Sequence, residues 1–313
     1  MTKDVKLTIA IPTFNNANVL AKSIESCLNQ TDLDNCEILI VNNASTDTTQ
    51  SVIDKYKDNN NLRTIELKTN VPIYANHNIC LKESSGKYVL FCHSDDRLDK
   101  DAVKTIKQNL IKRQFPNKYI FWGYGMMKDY SYAIEKYGLQ VGKIFAGQRA
   151  VLPHLSGGLT PSGTCYSKDM IEFGGFLEST HYLQAFDSSS MVFLALKGFR
   201  FEMIDDIIVH RLLSGTHIPG QKIKTLIANY ADAYDFLRKR LSDNEKEILL
   251  NNAIVYNHPP PLHYLYYESN FNSKKILIPI IIHLILRPWL LGKKLFWKTF
   301  FNTILKMIIK NKK

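Results

Sequence analysis

Asp95 and Asp96 stand side by side just beyond a β-rich run, Lys87-Tyr88-Val89-Leu90-Phe91-Cys92, with His93 and Ser94 between. Two adjacent carboxylates at a strand end make a hard-oxygen site suited to Mg2+ or Mn2+. Phosphate oxygens of a nucleotide would complete such an ion's coordination. The pair alone decides little, because turns and helix caps use Asp freely. Two more polar clusters, Pro12 to Asn16 and Asn42 to Asp47, follow apolar runs in the same way.

The elements that must position these clusters alternate through the first 120 residues. Leu7–Ile11 reads as a strand stopped by Pro12, and Ala17–Leu28 has helical spacing at Val19, Leu20, Ile24, Cys27 and Leu28. Glu37–Val41 reads as a second strand, followed by a helix from Thr48 to Lys57 capped by Asp47. Leu62–Leu67 gives a third strand, Ile73–Glu83 a helix and Lys87–Cys92 a fourth strand. Repeated βαβ units predict an α/β fold with a parallel, doubly wound sheet whose ligand lies beyond the carboxyl ends of the strands. All three polar clusters fall at those ends. From residue 120 to 215 the pattern is mixed and Gly-rich, with strand-like runs near 119–122 and 199–209. Helices are expected over 221–241 and 243–256, then a linker at Asn257-His258-Pro259-Pro260-Pro261.

Composition narrows the class. The chain has 313 residues, 45% hydrophobic and 22% charged, enough to bury a substantial core and too apolar for wholesale disorder. Its five cysteines, Cys27, Cys36, Cys80, Cys92 and Cys165, show no C-x-x-C pairing, which argues against a disulfide scaffold or a zinc module and for a reducing compartment. Met1 leads directly into strand pattern, with no basic-then-apolar leader. The net charge of +11 is not spread evenly. Residues 274–313 hold ten Lys or Arg and no acid, so the rest carries 30 basic against 29 acidic groups. A near-neutral body argues against nucleic acid as a partner, and a basic tail rich in Trp, Phe, Ile and Leu suggests an anionic membrane surface.

Three segments in register resemble glycosyltransferase family 2: Ile9-Ala10-Ile11-Pro12-Thr13-Phe14-Asn15, Ile40-Val41-Asn42-Asn43-Ala44-Ser45-Thr46-Asp47, and Gly86-Lys87 through Asp95-Asp96. A fourth agrees, with Asp187 eleven residues before Gly198. The resemblance covers residues 5–215 and implies a GT-A-type nucleotide-binding domain, a mostly parallel twisted sheet flanked by helices. It implies that Pro12, Thr13, Phe14 and Asn15 form the exit loop under the nucleotide base, with Phe14 where Tyr is frequent. Asn42 and Asn43 fall where the family usually has Asp-Asp, and Asn76-His77-Asn78 matches Ala-Arg-Asn, so His77 replaces an Arg near the base. Ser94 and Asp95 would face the donor, Asp95 binding Mn2+ or Mg2+ and Asp96 assisting. His93 takes the place of the first Asp of Asp-x-Asp, where an imidazole can bond a hydroxyl or ligate a metal. Asp187 would be the catalytic base, with Phe186 in place of a preceding Glu. Arg211 would meet the diphosphate.

The tail sets the expected setting. Ile276–Leu286 is too short to span a bilayer, which takes about 20 apolar residues. Beyond Pro288, Lys294, Lys298, Asn302, Lys306 and Lys310 form one polar stripe opposite Trp297, Phe301, Ile304 and Ile308. The expected organisation is a GT-A domain over 1–218, a helical extension and linker over 219–273, and a C-terminal amphipathic membrane-associating region over 274–313. Together these imply an inverting, metal-dependent hexosyl- or N-acetylhexosaminyltransferase, peripheral on the cytoplasmic face of a bacterial membrane. It would move a sugar from a nucleotide-sugar, UDP-linked by default, to a lipid-linked or growing surface glycan such as capsule or O-antigen. The alternative is a degenerate family member acting as a membrane-bound scaffold. A sugar-1-phosphate nucleotidyltransferase is disfavoured because Pro12–Asn16 lacks the Gly and basic residues of a phosphate loop.

Overall fold

The computed structural model describes residues 6–125, 138–156, 159–177, 186–211, 239–246 and 248–249. The expectations for residues 219–238 and 250–313, including the basic tail, lie outside the described residues. No helix among the described residues is long and apolar enough to cross a membrane.

The first half follows the predicted alternation: β1 (Leu7–Thr13), α1 (Ala17–Leu28), β2 (Cys36–Asn42), α2 (Thr49–Ile53), β3 (Leu62–Glu66), α3 (Ile73–Glu83) and β4 (Tyr88–Phe91). There follow β5 (Arg97–Leu98), α4 (Ala102–Lys112), β6 (Tyr119–Tyr124), β7 (Phe145–Ala146), α5 (Gln148–Ser156), β8 (Thr164–Ser167), α6 (Phe186–Leu196), β9 (Arg200–Ile207) and β10 (Val209–His210). The eight-stranded sheet has the order β3-β2-β1-β4-β8-β6-β9-β7. Strands β1 to β4 pair in parallel, as do β6 and β9, whereas β8 and β7 run antiparallel to their neighbours. A small antiparallel ribbon pairs β10 with β5.

Side-chain alternation explains the layering. Leu7, Ile9 and Ile11 face one apolar cluster with Leu20, Ile24, Val103 and Ile106 of α1 and α4. Ala10, Leu39, Val41, Val89 and Phe91 face the other, with Cys80 and Leu81 of α3 and Met191 and Leu194 of α6. Strands β1, β2 and β4 are therefore apolar on both faces, as a covered parallel sheet requires, whereas β3 at the sheet edge is mostly exposed. All five cysteines are buried and free.

Two details differ from the sequence reading. Pro12 does not stop β1, which continues to Thr13 beside Asn42. Ala10 accepts from the Cys92 N–H on the β4 side and Thr13 accepts from the Asn43 N–H on the β2 side. Alternation then points Pro12 toward β4, whose pairing with β1 has ended at Ala10, so its missing N–H disrupts no ladder bond. The helix expected over 48–57 is only five residues long and tightens into a 3₁₀ turn at Asp54–Tyr56. Asp47 does cap it in effect, accepting from the Thr49 N–H at 2.9 Å.

The parallel pair β6 and β9 is held by an ion pair that the pattern did not suggest. Glu202, 1% exposed, receives Arg113 Nε at 2.9 Å and Nη2 at 2.5 Å, and also the Tyr119 hydroxyl. Tyr119 receives the Asn109 amide at 3.0 Å in turn. Every polar atom of this buried carboxylate is thereby matched, and removing it strands a cation and a phenol. Glu202→Ala is expected to cost about 3–5 kcal/mol in chemical denaturation, with Glu202→Gln losing less. A loss below about 1 kcal/mol would show that the pair is dispensable.

Candidate functional site

The carboxyl edge of β1, β2 and β4 carries the three polar clusters, and hydrogen bonds sew them together. Asn15, at φ +50°, donates its backbone N–H to Ser45 Oγ at 2.9 Å and accepts the Thr46 N–H at 2.8 Å. Asn16 reaches across to Ser94, its amide donating to Oγ at 2.6 Å. Asp47 accepts from the Ala17 N–H at 3.3 Å. Phe14 rises from this platform 43% exposed, offering an open aromatic face. Thr13 Oγ1 is buried there without a hydrogen-bond partner.

The turn after β4 holds the acidic group. The Asp96 N–H returns to the His93 carbonyl at 3.0 Å, and that carbonyl also accepts from Ser23 Oγ at 3.1 Å. The His93 N–H donates to Ser162 Oγ at 3.1 Å. One ring nitrogen of His93 and one oxygen each of Asp95 and Asp96 lie within 4.8 Å of one another. Three ligand atoms in that span, two of them carboxylate oxygens, suit a divalent cation and leave coordination positions for phosphate oxygens. The donor set therefore fits the ion that the pair Asp95 and Asp96 suggests.

Asn42 and Asn43 spend their carboxamides inside the protein. Asn42 donates to Gln50 at 2.8 Å and accepts from the Ser45 hydroxyl at 2.6 Å. Asn43 exchanges two 2.9 Å bonds with the backbone of Val71, giving to its carbonyl and taking from its N–H. They shape the floor of the edge through the Ser45 and Val71 segments. His77 points inward from α3, 3% exposed, with Nδ1 2.7 Å from the Ile73 carbonyl and Nε2 3.0 Å from His93 Nε2. Burial lowers both imidazoles, His77 to about 3 and His93 to about 4. For His93 the Asp95 carboxylate opposes that shift and the Arg211 cation adds to it.

The second half of the chain closes the site. The β5–β10 ribbon, tied by His210 Nε2 to Asp99 at 2.9 Å, delivers Arg211 beside the 93–96 turn. Burial depresses the Arg211 guanidinium from its usual value, whereas Asp96 and Tyr166 hold it charged. Its Nε is buried without a hydrogen-bond partner. A buried cation with an unmatched donor is equipped to meet an anion. Asp187, in the first turn of α6, lies against two phenols. Burial and the Asp187 carboxylate both push Tyr74 well up, and the Asp187 N–H bonds its oxygen. Burial likewise raises Tyr166, with Asp187 adding and Arg211 opposing. Tyr166 thus feels both Asp187 and Arg211, and Arg211 feels both Tyr166 and Asp96. Asp95 and Arg211 act on His93 in turn, which links these residues electrostatically.

Tyr74 and Tyr166 carry no sequence motif that marks them for the site. Tyr166 lies on β8, a strand hidden in the Gly-rich region, and Tyr74 looked like an ordinary helix residue. His154 proves to be a core residue, fully buried against Phe201 and Trp122, its imidazole lowered to about 3 by burial.

Comparison with known proteins bears on the same region. Residues 8–121 match the family model described as glycosyl transferase family 2. GlyA, a glycosyltransferase of Streptococcus pneumoniae, is 32% identical over 114 residues, 36% of this chain and 16% of that protein. The Staphylococcus aureus poly(ribitol-phosphate) β-N-acetylglucosaminyltransferase TarS is 30% identical over 102 residues, 32% of this chain and 18% of that one. The chain therefore spans less than a fifth of the length of these relatives. A TarS fragment solved with UDP-GlcNAc superposes with a TM-score of 0.59 at 18% identity, over 80% of this chain and 73% of the fragment. A Pyrobaculum calidifontis mannosyltransferase solved with GDP-Man and Mn2+ gives 0.56 at 16% identity, over 99% and 88%. These two likenesses speak for the GT-A-like fold. The match to glycosyltransferase family 2 thus falls on residues 8–121, the strands and helices whose ends build the site, and the curated relatives matched over the same stretch are themselves glycosyltransferases.

Proposed function

We propose that the chain is an inverting glycosyltransferase that takes a sugar from a nucleoside diphosphate sugar, UDP-linked, and passes it to a hydroxyl of a glycan acceptor. The observation that supports this reading is the mutual electrostatic influence of Asp187, Tyr166, Arg211 and Asp96 beside the His93–Asp95–Asp96 cluster, which is what a base near a diphosphate site would require. TarS, solved with UDP-GlcNAc, supports the donor class.

The residues divide the work. Phe14 offers the base a stacking face. Asp95 and Asp96 would hold Mn2+ or Mg2+, which when bound neutralises charge on the diphosphate. Arg211 faces the same phosphates, where negative charge grows as the sugar leaves. Asp187 accepts the acceptor's hydroxyl proton while that oxygen bonds the anomeric carbon. The bond from that carbon to the diphosphate oxygen breaks, its electrons leaving with the nucleotide. Attack from the side opposite the leaving group inverts the centre. Tyr74 and Tyr166 neighbour the carboxylate, and the bond from the Asp187 N–H to the Tyr74 oxygen ties the start of α6 to α3.

The basic stripe of residues 274–313 supports a membrane-surface setting on the cytoplasmic face, with a lipid-linked glycan as acceptor. Confinement to the surface would raise the effective concentration of such an acceptor.

Three measurements test this. Calorimetry with UDP should show Mn2+-dependent binding that weakens about tenfold or more in Asp95→Asn. Equal binding by wild type and variant would remove Asp95 from the site. Asp187→Asn should lower transfer from a UDP-sugar by about 10² to 10⁴-fold, with UDP affinity within about threefold. Undiminished transfer would take the base role from Asp187. Deleting residues 274–313 should move the protein from the membrane pellet to the supernatant. Retention in the pellet would place the anchor elsewhere.

A further inference from the structure

The two histidines in contact settle their own tautomers. His77 Nδ1 lies 2.7 Å from the carbonyl of Ile73, which can only accept, so Nδ1 carries a hydrogen. The facing Nε2 atoms of His77 and His93 are 3.0 Å apart, so one hydrogen lies between them. His77 is packed among the rings of Tyr74, Phe91 and Phe176, a setting that opposes a second proton. A neutral His77 with its hydrogen on Nδ1 presents a lone pair at Nε2, and His93 must supply the bond. His93 is then the Nε2–H tautomer, and its own lone pair sits on Nδ1.

This is the arrangement of a ligating imidazole whose second nitrogen is held by a neighbour. Resting on the reading of Asp95 and Asp96 as the donor's metal site, we propose that His93 is a third metal ligand, through Nδ1, and that His77 is the positioning residue that selects its tautomer. His93, Asp95 and Asp96 supply one nitrogen and two carboxylate oxygens within 4.8 Å. A nitrogen donor in place of a carboxylate lowers the site's negative charge and favours Mn2+ over Mg2+. A neutral imidazole acting only on a ribose hydroxyl would use the same lone pair without touching the ion.

Pulsed electron paramagnetic resonance of Mn2+ bound to the full chain with UDP separates these roles. The wild type should show imidazole ¹⁴N coupling, replaced by ¹⁵N coupling after histidine labelling. His93→Asp should keep bound Mn2+, lose that coupling and gain Mg2+ affinity. His77→Leu should weaken Mn2+ about tenfold, and His77→Gln, whose amide oxygen can accept from Nε2–H, should restore it to within about threefold. Equal losses in the Leu and Gln variants would reduce His77 to packing and overturn its positioning role. Bound Mn2+ without nitrogen coupling in the wild type would overturn His93 as a ligand and leave it to the hydroxyl. UDP binding without Mn2+ would overturn the metal ligand yet leave the nucleotide site standing. Failure to bind UDP at all would overturn the proposed function itself, and this inference with it.

Discussion

The turn from His93 to Asp96 is the constraint on which the site depends. It must reverse the chain directly after a buried parallel strand while leaving two carboxylates side by side. Carboxylates repel, and a buried backbone that lacks partners destabilises the fold. The turn meets both conditions by borrowing bonds from elements distant in sequence: Ser23 of α1 on the His93 carbonyl, Ser162 on its N–H, and Asn16 on Ser94. Gly163, at φ +80°, lets the 159–163 segment come this close. Its N–H reaches the Phe91 carbonyl at 2.9 Å, and a Cβ there would sit 2.4 Å from Val209. The acidic pair is therefore held by the body of the domain, with each half of the chain contributing a clamp.

That dependence explains why the antiparallel ribbon matters out of proportion to its size. β5 is only two residues long, yet it leaves the acidic turn directly and pairs with β10, the last strand before Arg211. One short register places the cation next to the carboxylates. The group gathers two acids at 95 and 96, a third at 187, one guanidinium, and two imidazoles whose charged forms burial opposes, so acids outnumber cations. A site with surplus acid and one cation with an unmatched donor is suited to take up a metal with its anionic ligand together.

The first four strands and two of the helices were legible because each follows a single physical rule. The buried strands β1, β2 and β4 read as nearly unbroken apolar runs, the edge strand β3 follows from the βαβ spacing, and α1 and α3 begin and end where the periodicity does. The strand-end position of Asp95 and Asp96 was legible because β4 reads as an apolar run that stops just before them. The rest was hidden for stated reasons. β8 looked like loop because Gly157 to Gly163 precedes it, and its antiparallel insertion between β4 and β6 breaks the βαβ grammar. β7 and β5 are two residues each, shorter than any periodicity. The Glu202–Arg113–Tyr119 contact joins residues 83 and 89 apart in sequence, beyond the reach of local pattern. Tyr74 and Tyr166 gained meaning only once folding put both beside Asp187.

Four of the departures from the family's usual residues, at 42, 43, 77 and 93, form matched sets. At 77 and 93 a cation and an anion are both replaced by rings, and those rings bond each other. At 42 and 43 two acids become amides, and each amide uses a donor that an acid lacks: Asn42 toward Gln50, Asn43 toward the Val71 carbonyl. Decay of an unused site gives no reason for such compensation, since a lost partner leaves an orphaned polar atom and a loosened pocket. Here Asn42, Asn43 and His77 are buried with their polar atoms matched, whereas Thr13 Oγ1 and Arg211 Nε remain unmatched at the edge where a ligand would sit. That distribution favours a donor site rebuilt for a less acidic pocket over a scaffold that has shed its chemistry.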